Sequence, residues 1–411
     1  MQMRIAVLSA ILLAGLQRPA AAVAVDGRLT SSLYNYEALK DSATTTFLRG
    51  VQGLRLDLGQ LGAPALSFHT YMQGSTDFRE EADNDPGLRL YHAYFSWKAR
   101  AAEVQVGRQR IRAGAGLGRI DGARFARRGQ GWDLDLYAGA LAPLDQGAGL
   151  GSWSEGHLWG ARVRARRWGG VDLGLSFARR QRELASGSDL VRQLFSLEGR
   201  RRLGGKHSLY ARLDYDQKKG ELQRAEAEGR LALAPRLSLQ ASYLRRLPAV
   251  YEGSYFSIFP QDAYQEAGAS LYFSATDQVQ LAASFAQILY ADDNAQRLGL
   301  VLSSGPHYSL GYYRTSGYAR ASDGLAGNLH YRLGRNLSLN GQLDLATFER
   351  YEEAEERDGL AAGGLGLSWK PVPAGLLEAQ VQALRNPAYL SDLRFLLRGS
   401  WHFFKGEGEK R

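Results

Sequence analysis

From Leu390 to Phe404 the chain alternates with period two. One set of positions is Leu393, Phe395, Leu397, Gly399, Trp401 and Phe403; the other is Arg394, Leu396, Arg398, Ser400 and His402. A strand sends alternate side chains to opposite faces, so this segment has a dry face and a face carrying two arginines. The same alternation recurs through the chain. Val171-Leu173-Leu175-Phe177, Val279-Leu281-Ala283-Phe285, Leu337-Leu339-Gly341-Leu343-Leu345 and Leu377-Ala379-Val381-Ala383 form dry faces. Asp172, Gln280, Ser284, Asn336, Ser338, Asn340, Gln342 and Asp344 stand opposite them. Helical periodicity is almost absent.

The pattern predicts strands near 28–38, 45–59, 64–73, 88–98, 102–111, 118–126 and 131–140, then near 157–167, 170–181, 190–202, 207–217, 220–233 and 236–247. The remainder fall near 263–274, 277–290, 295–303, 306–315, 321–333, 336–348, 359–369, 375–385 and 390–404. That makes about 22, within a range of roughly 18–22 if hairpins are merged. The dry faces must meet either a second sheet, as in a soluble sandwich, or lipid, as in a transmembrane barrel.

Three features favour lipid. With the first strand rising from the periplasm, the even-numbered connections are tight: Leu61-Gly62-Ala63, Ala99-Arg100, Trp168-Gly169, Gly204-Gly205, Ala234-Pro235, Ala275-Thr276, Ser304-Gly305 and Gly334-Arg335. The long ones, Gly74 to Gly87, Leu141 to Gly156, Pro248 to Asp262 and Arg350 to Asp358, fall on the odd, external side, the sorting found in bacterial barrels. Trp97, Trp132, Trp168, Trp369 and Trp401 cluster at predicted periplasmic strand ends, and Trp159 starts a strand at the outer end after Trp153 in the loop before it. Interfacial girdles use tryptophan in this way, whereas a core would hold it mid-strand. Finally, every strand is half dry, and one sandwich without covering helices cannot hide so many dry faces. The expected fold is all-β, a single closed antiparallel transmembrane β-barrel with short periplasmic turns and longer extracellular loops.

Composition refines this picture. Met1 to Ala24 reads as a secretory signal, with Arg4, the apolar run Ile5 to Leu16 and the small-x-small site Ala22-Val23-Ala24. Residues 25–404 are then the barrel and 405–411 a short charged periplasmic tail. Removal of the signal takes Arg4 and Arg18 and lowers the formal charge from +9 to +7. Among the 411 residues there is no cysteine, which excludes disulfides, thiolate metal sites and a haem-attachment CxxCH. No cofactor and no metal centre is expected. Export argues against a nucleic-acid partner for the basic charge.

Leu88 to Trp97 (LRLYHAYFSW), Val106 to Gln109 (VGRQ) and Gly118 to Phe125 (GRIDGARF) resemble porin-like Gram-negative outer-membrane barrels, including alginate-export-type proteins. In those, the GRQ strand and a following DG-R-F strand are neighbours. The resemblance spans about 40 residues and implies the fold and the outer membrane, with no substrate carried over. The closing strand also resembles the aromatic end recognised by barrel-assembly machinery, but here Lys405 to Arg411 follow it.

Candidate chemistry lies on the wet faces. Arg162, Arg164 and Arg166 share one face, and Arg200, Arg202, Arg212, Arg230, Arg236, Arg394 and Arg398 fall on corresponding faces. Rings of arginine select ions by sign, which points to anionic solutes. Asp57, Asp133, Asp135, Asp172, Glu198, Asp214, Asp216, Glu226 and Glu228 also face inward, so a structural network of ion pairs is the competing reading. The external loop Tyr251 to Pro260, with Tyr251, Tyr255, Phe256 and Phe259, is a candidate constriction or partner loop, or else packs on the rim. Acidic runs at Asp77 to Asp85 and Glu349 to Asp358 read as solvated loops.

No enzyme motif is present: HExxH, GxSxG and a strand-to-helix GxGxxG are all missing. A Ser–His pair assembled across strands would escape such a search, and His330 and His402 are its lumenal candidates. The expected function is a porin-like channel for small solutes, with outer-membrane lipid and lipopolysaccharide as surroundings. A barrel this wide needs a plug, an infolded loop or a tenant. The alternative is therefore a sheath around a partner protein in the lumen, such as a multihaem cytochrome in a trans-outer-membrane electron conduit.

Overall fold

The computed structural model describes residues 23–40, 43–79, 87–183, 189–248, 262–318, 320–349, 357–386 and 392–405. Its strands are β1 Ala24–Lys40, β2 Ala43–Gly59, β3 Leu66–Asp77, β4 Leu88–Ala99, β5 Ala102–Ala113, β6 Gly116–Arg128, β7 Trp132–Leu141 and β8 Gly156–Trp168. There follow β9 Val171–Glu183, β10 Asp189–Leu203, β11 His207–Asp216, β12 Glu221–Ala234, β13 Leu237–Arg246, β14 Tyr264–Ser274 and β15 Val279–Leu289. The last are β16 Asn294–Ser304, β17 Tyr308–Gly317, β18 Ser322–Arg332, β19 Leu337–Glu349, β20 Arg357–Trp369, β21 Gly375–Arg385 and β22 Asp392–Lys405.

Each strand pairs antiparallel with its neighbours in sequence. β1 also pairs with β22, from Val25↔Lys405 to Asn35↔Phe395, so the 22-stranded sheet closes on itself. A circular cylinder of 22 strands, ~4.8 Å apart and tilted by ~40°, is roughly 40 Å across.

Register keeps the two faces separate around the ring. Between β21 and β22, Ala379↔Leu397 and Val381↔Phe395 alternate with Glu378↔Arg398 and Gln382↔Arg394. Between β19 and β20, Leu339↔Leu367 alternates with Asn340↔Gly366 and Gln342↔Gly364. The dry side is uncovered: Leu365 is 63% exposed and Leu397 54%. Since the sheet closes on itself, no second sheet meets that face, and lipid is its solvent. The expected tryptophan girdle is in place, with Trp97, Trp132, Trp168, Trp369 and Trp401 all exposed.

The connections sort as the parity rule requires. Those at 100–101, 169–170, 204–206 and 235–236 are tight, while 142–155 on the opposite side is long. The acidic residues Glu80 to Pro86 and Arg350 to Glu356 lie outside the described residues, as do residues 1–22 and 406–411.

Exchanging one face for the other tests the solvent assignment. Leu365 stands four residues from Trp369 on β20, roughly 10 Å into a band roughly 25 Å tall. Leu365→Arg is expected to destabilise the barrel by about 2–4 kcal/mol. Gln382→Arg, one strand away on the inner face, is expected to cost less than about 1 kcal/mol. Denaturant unfolding of both variants in lipid vesicles measures the difference.

Candidate functional site: a hairpin folded into the lumen

The regular alternation breaks in one hairpin. Along β5 the dry face runs Ala102, Val104 and Val106 and then turns charged at Arg108, Arg110 and Arg112. On the same stretch the wet face becomes apolar, with Ile111 and Ala113. The faces have exchanged, so this segment cannot stay in the wall with arginines in lipid. It leaves the wall. β4 pairs with β5 only from Ala93↔Arg108 to Ala99↔Ala102, and β6 pairs with β7 only up to Ile120↔Leu141.

The distal part of the β5–β6 hairpin lies instead against the inner faces of β7 to β11. Ile111, Ala113, Ala115 and Ile120 pack on Tyr137, Leu141, Leu158 and Ala178 in a buried apolar cluster. At the tip, Ala115 N–H donates to Ser176 Oγ at 2.8 Å, and an Arg212 terminal nitrogen donates to the Gly114 carbonyl at 3.2 Å. Glycine is required at two points. Gly107, where the hairpin departs, has φ +125°, and a Cβ there would lie 2.4 Å from the Ala93 carbonyl oxygen. Gly114 at the tip has φ +59°, and a Cβ would lie 2.0 Å from Ser176 Oγ.

Loop 142–155 takes up the space left in the wall. Leu90 N–H donates to the Gln146 carbonyl at 2.8 Å, and Arg89 bridges to Gly147 where β5 would otherwise pair. The clasp is Arg108, 2% exposed. It grips Asp121 through two bonds of 2.7 and 2.8 Å and donates to the carbonyls of Leu90, Gly147 and Gly149. Asp121 also accepts the Gly151 N–H at 2.7 Å. One bidentate pair thus ties strand, hairpin and loop together.

The hairpin's free face carries the register pairs Arg110↔Arg119 and Arg112↔Leu117. Arg119 sits over the Tyr91 ring at 5.4 Å. Among the described residues, none of Arg110, Arg112 and Arg119 has an ion-pair partner, whereas Arg108 has Asp121.

The arginines singled out by sequence are in a different state. Arg162, Arg164 and Arg166 do share the inner face of β8, but they pair with Glu198, Asp172 and Asp133 respectively. Arg212 pairs with Asp214 at 2.9 Å, Arg394 with Asp392 at 2.6 Å and Arg398 with Glu378 at 3.9 Å. Arg200 and Arg230 lie over the rings of Tyr210 and Tyr272. Arg202 stands on the inner-face register near the periplasmic end of β10. Arg236 is placed in the turn at 235–236, bonded to the Ala275 carbonyl, and so belongs to the rim and not to the lumenal wall. The proposed constriction residues Tyr251, Tyr255, Phe256 and Phe259 lie outside the described residues. His330 bonds Asn340 and His402 bonds Asp26.

Alternation alone does not distinguish the infolded hairpin from a wall strand, because period two persists along β5 while its dry and charged faces exchange. The exchange of faces at Arg108 was its visible signal.

A closed antiparallel barrel with a lipid-facing belt and an occupied lumen defines the class, that of the large outer-membrane β-barrels. No protein-family model matches the sequence, and no curated protein matches it. Solved structures do. The chain is similar to the siderophore receptor PirA of Pseudomonas aeruginosa, at 11% identity and TM-score 0.55, covering 94% of this chain and 81% of that one. It is similar to a mutant of the ferric enterobactin receptor PfeA of the same organism, at 10% identity and TM-score 0.59, again covering 94% and 81%. OpdQ of Pseudomonas aeruginosa matches at 10% identity and TM-score 0.44, covering 93% and 98%. The likeness to the two receptors is one of fold.

Breaking the clasp tests its role. Asp121→Ala leaves Arg108 buried without its carboxylate, which typically costs about 3–5 kcal/mol. Hydrogen exchange at the amides of Leu90 and Gly151, which donate to the Gln146 carbonyl and to Asp121, is expected to accelerate by at least a hundredfold. Exchange in β19 to β21 is expected to stay unchanged.

Proposed function

We propose that this chain is a porin-like channel through the outer membrane for small anionic solutes. The observation that carries this reading is the hairpin of β5 and β6, which narrows the lumen and bears Arg110, Arg112 and Arg119 without carboxylate partners among the described residues. Most of the wall arginines are compensated by neighbouring carboxylates, and a compensated pair attracts an anion and a cation about equally. An uncompensated guanidinium cluster at a narrowing repels cations and lowers the electrostatic barrier to anions. Selectivity on this reading resides in the hairpin, and the wall charges hold the barrel's shape.

The alternative of a sheath around a protein such as a multihaem cytochrome requires a lumen free along its length. The hairpin takes up part of that cross-section between β5 and β11, which supports the channel over the sheath.

Planar-bilayer recording in a KCl gradient tests the proposal. The purified barrel is expected to conduct stably with chloride favoured over potassium. Neutralising the hairpin by Arg110→Gln, Arg112→Gln and Arg119→Gln together is expected to lower the chloride-to-potassium permeability ratio severalfold. Arg162→Gln with Glu198→Gln, which removes a matched pair, is expected to leave it unchanged. Absence of stable conductance from a barrel that co-purifies stoichiometrically with a second protein would favour the sheath.

A further inference from the structure

Beyond conduction, we propose that Ser67, His69 and Asp57 form a nucleophilic centre at the periplasmic end of the lumen that cleaves short-chain carboxylic esters. β3 begins at Leu66, so Ser67 and His69, two residues apart, project from the same face. Asp57 on β2 is the cross-strand partner of His69. Ser67 Oγ lies 2.9 Å from His69 Nε2, and His69 Nδ1 lies 2.5 Å from Asp57 Oδ1. A carboxylate on Nδ1 holds the proton there, which leaves the Nε2 lone pair aimed at the serine hydroxyl. The competing acceptor for that hydroxyl, the Ser96 carbonyl, is further away at 3.3 Å.

The surroundings fix this arrangement. Arg55 Nε donates to the second Asp57 oxygen at 3.1 Å, which orients the carboxylate. The Tyr94 ring stacks on the imidazole at 5.1 Å between centroids and holds its plane. His69 and Asp57 are 24% and 25% exposed, so the centre is reachable from the lumen. His330 and His402, the candidates from sequence, bond Asn340 and Asp26 and have no serine hydroxyl partner among the described residues.

The chemistry balances without a cofactor. Ser67 Oγ adds to the ester carbonyl carbon as its proton passes to His69 Nε2. The carbon–alkoxide bond then breaks, and the imidazolium returns the proton to the departing alcohol. Water, deprotonated by His69, hydrolyses the acyl-serine and restores the hydroxyl. Asp57 is a positioning residue. β3 is paired on both sides by β2 and β4, so its backbone N–H groups are committed to the sheet. The developing oxyanion therefore relies on lumenal water and on Lys98, which stands on β4 two residues beyond Ser96, the register partner of Ser67. Among the described residues the wall beside Ser67 is polar, with His69, Ser96 and Glu103 on the same face, which suits short, water-soluble esters.

Two measurements on the folded full-length barrel in detergent test this: labelling by a fluorophosphonate probe and turnover of p-nitrophenyl acetate. The wild type is expected to label at Ser67, and Ser67→Ala to lose the label and the turnover. His69→Gln and Asp57→Asn are expected to slow labelling at least a hundredfold, while Ser96→Ala labels at the wild-type rate. Heat-modifiable migration on gels confirms that each variant is folded. No label on the wild type, a label that survives Ser67→Ala, or Asp57→Asn labelling at the wild-type rate would overturn the proposal. Bilayer conductance of Ser67→Ala, expected to be unchanged, keeps this outcome separate from that of the channel.

Discussion

An unpaired backbone N–H or C=O in hydrocarbon costs several kcal/mol, and a membrane-crossing strand presents such groups along both edges. Every other feature of this molecule follows from meeting that demand. β1 and β22 are far apart in sequence, yet their pairing removes the two edges that an open sheet would leave in lipid. With the ladder complete, the side chains of the belt need only be apolar. The absence of cysteine is then no handicap, because closure supplies the constraint that disulfides give to other exported proteins.

Closure also determines what the inner wall has to be. A wide lumen admits water, so polar residues are tolerated there, but an isolated charge still raises the local potential. Cross-strand pairing places Arg164 beside Asp172 and Arg162 beside Glu198, and neighbours on one strand add Arg212–Asp214 and Arg394–Asp392. These contacts are partly exposed, and each contributes modestly to stability. Their larger effect is to cancel charge along most of the wall. Arg110, Arg112 and Arg119 on the hairpin have no such partner among the described residues, and neither do Arg200, Arg202 and Arg230 on the wall.

The hairpin shows how a local breach of pattern becomes a functional feature. Arginines on the dry side of β5 cannot face lipid, and Ile111 and Ala113 on its wet side gain by packing on Tyr137 and Leu158. Both effects turn the segment inward. The vacancy in the wall is then sealed by loop 142–155, whose carbonyls accept from the buried Arg108. Gly107 and Gly114 make the departure and the tip possible, since neither place has room for a Cβ.

Period-two alternation is a local property, and it determined the number of strands, which side of each is dry, the parity of the loops and the girdle of Trp97, Trp132, Trp168, Trp369 and Trp401. These could be read from the chain because lipid imposes the same rule wherever a strand stays in the wall. The state of each charge could not. Whether Arg162 is free depends on Glu198 reaching it from β10, and whether Arg110 is free depends on no carboxylate doing so. The meeting of Asp57 with Ser67 and His69 likewise depends on the register between β2 and β3. Registers and infolding are set by pairings between distant segments, so only the closed tertiary structure decided which polar groups meet in the lumen and which face it alone.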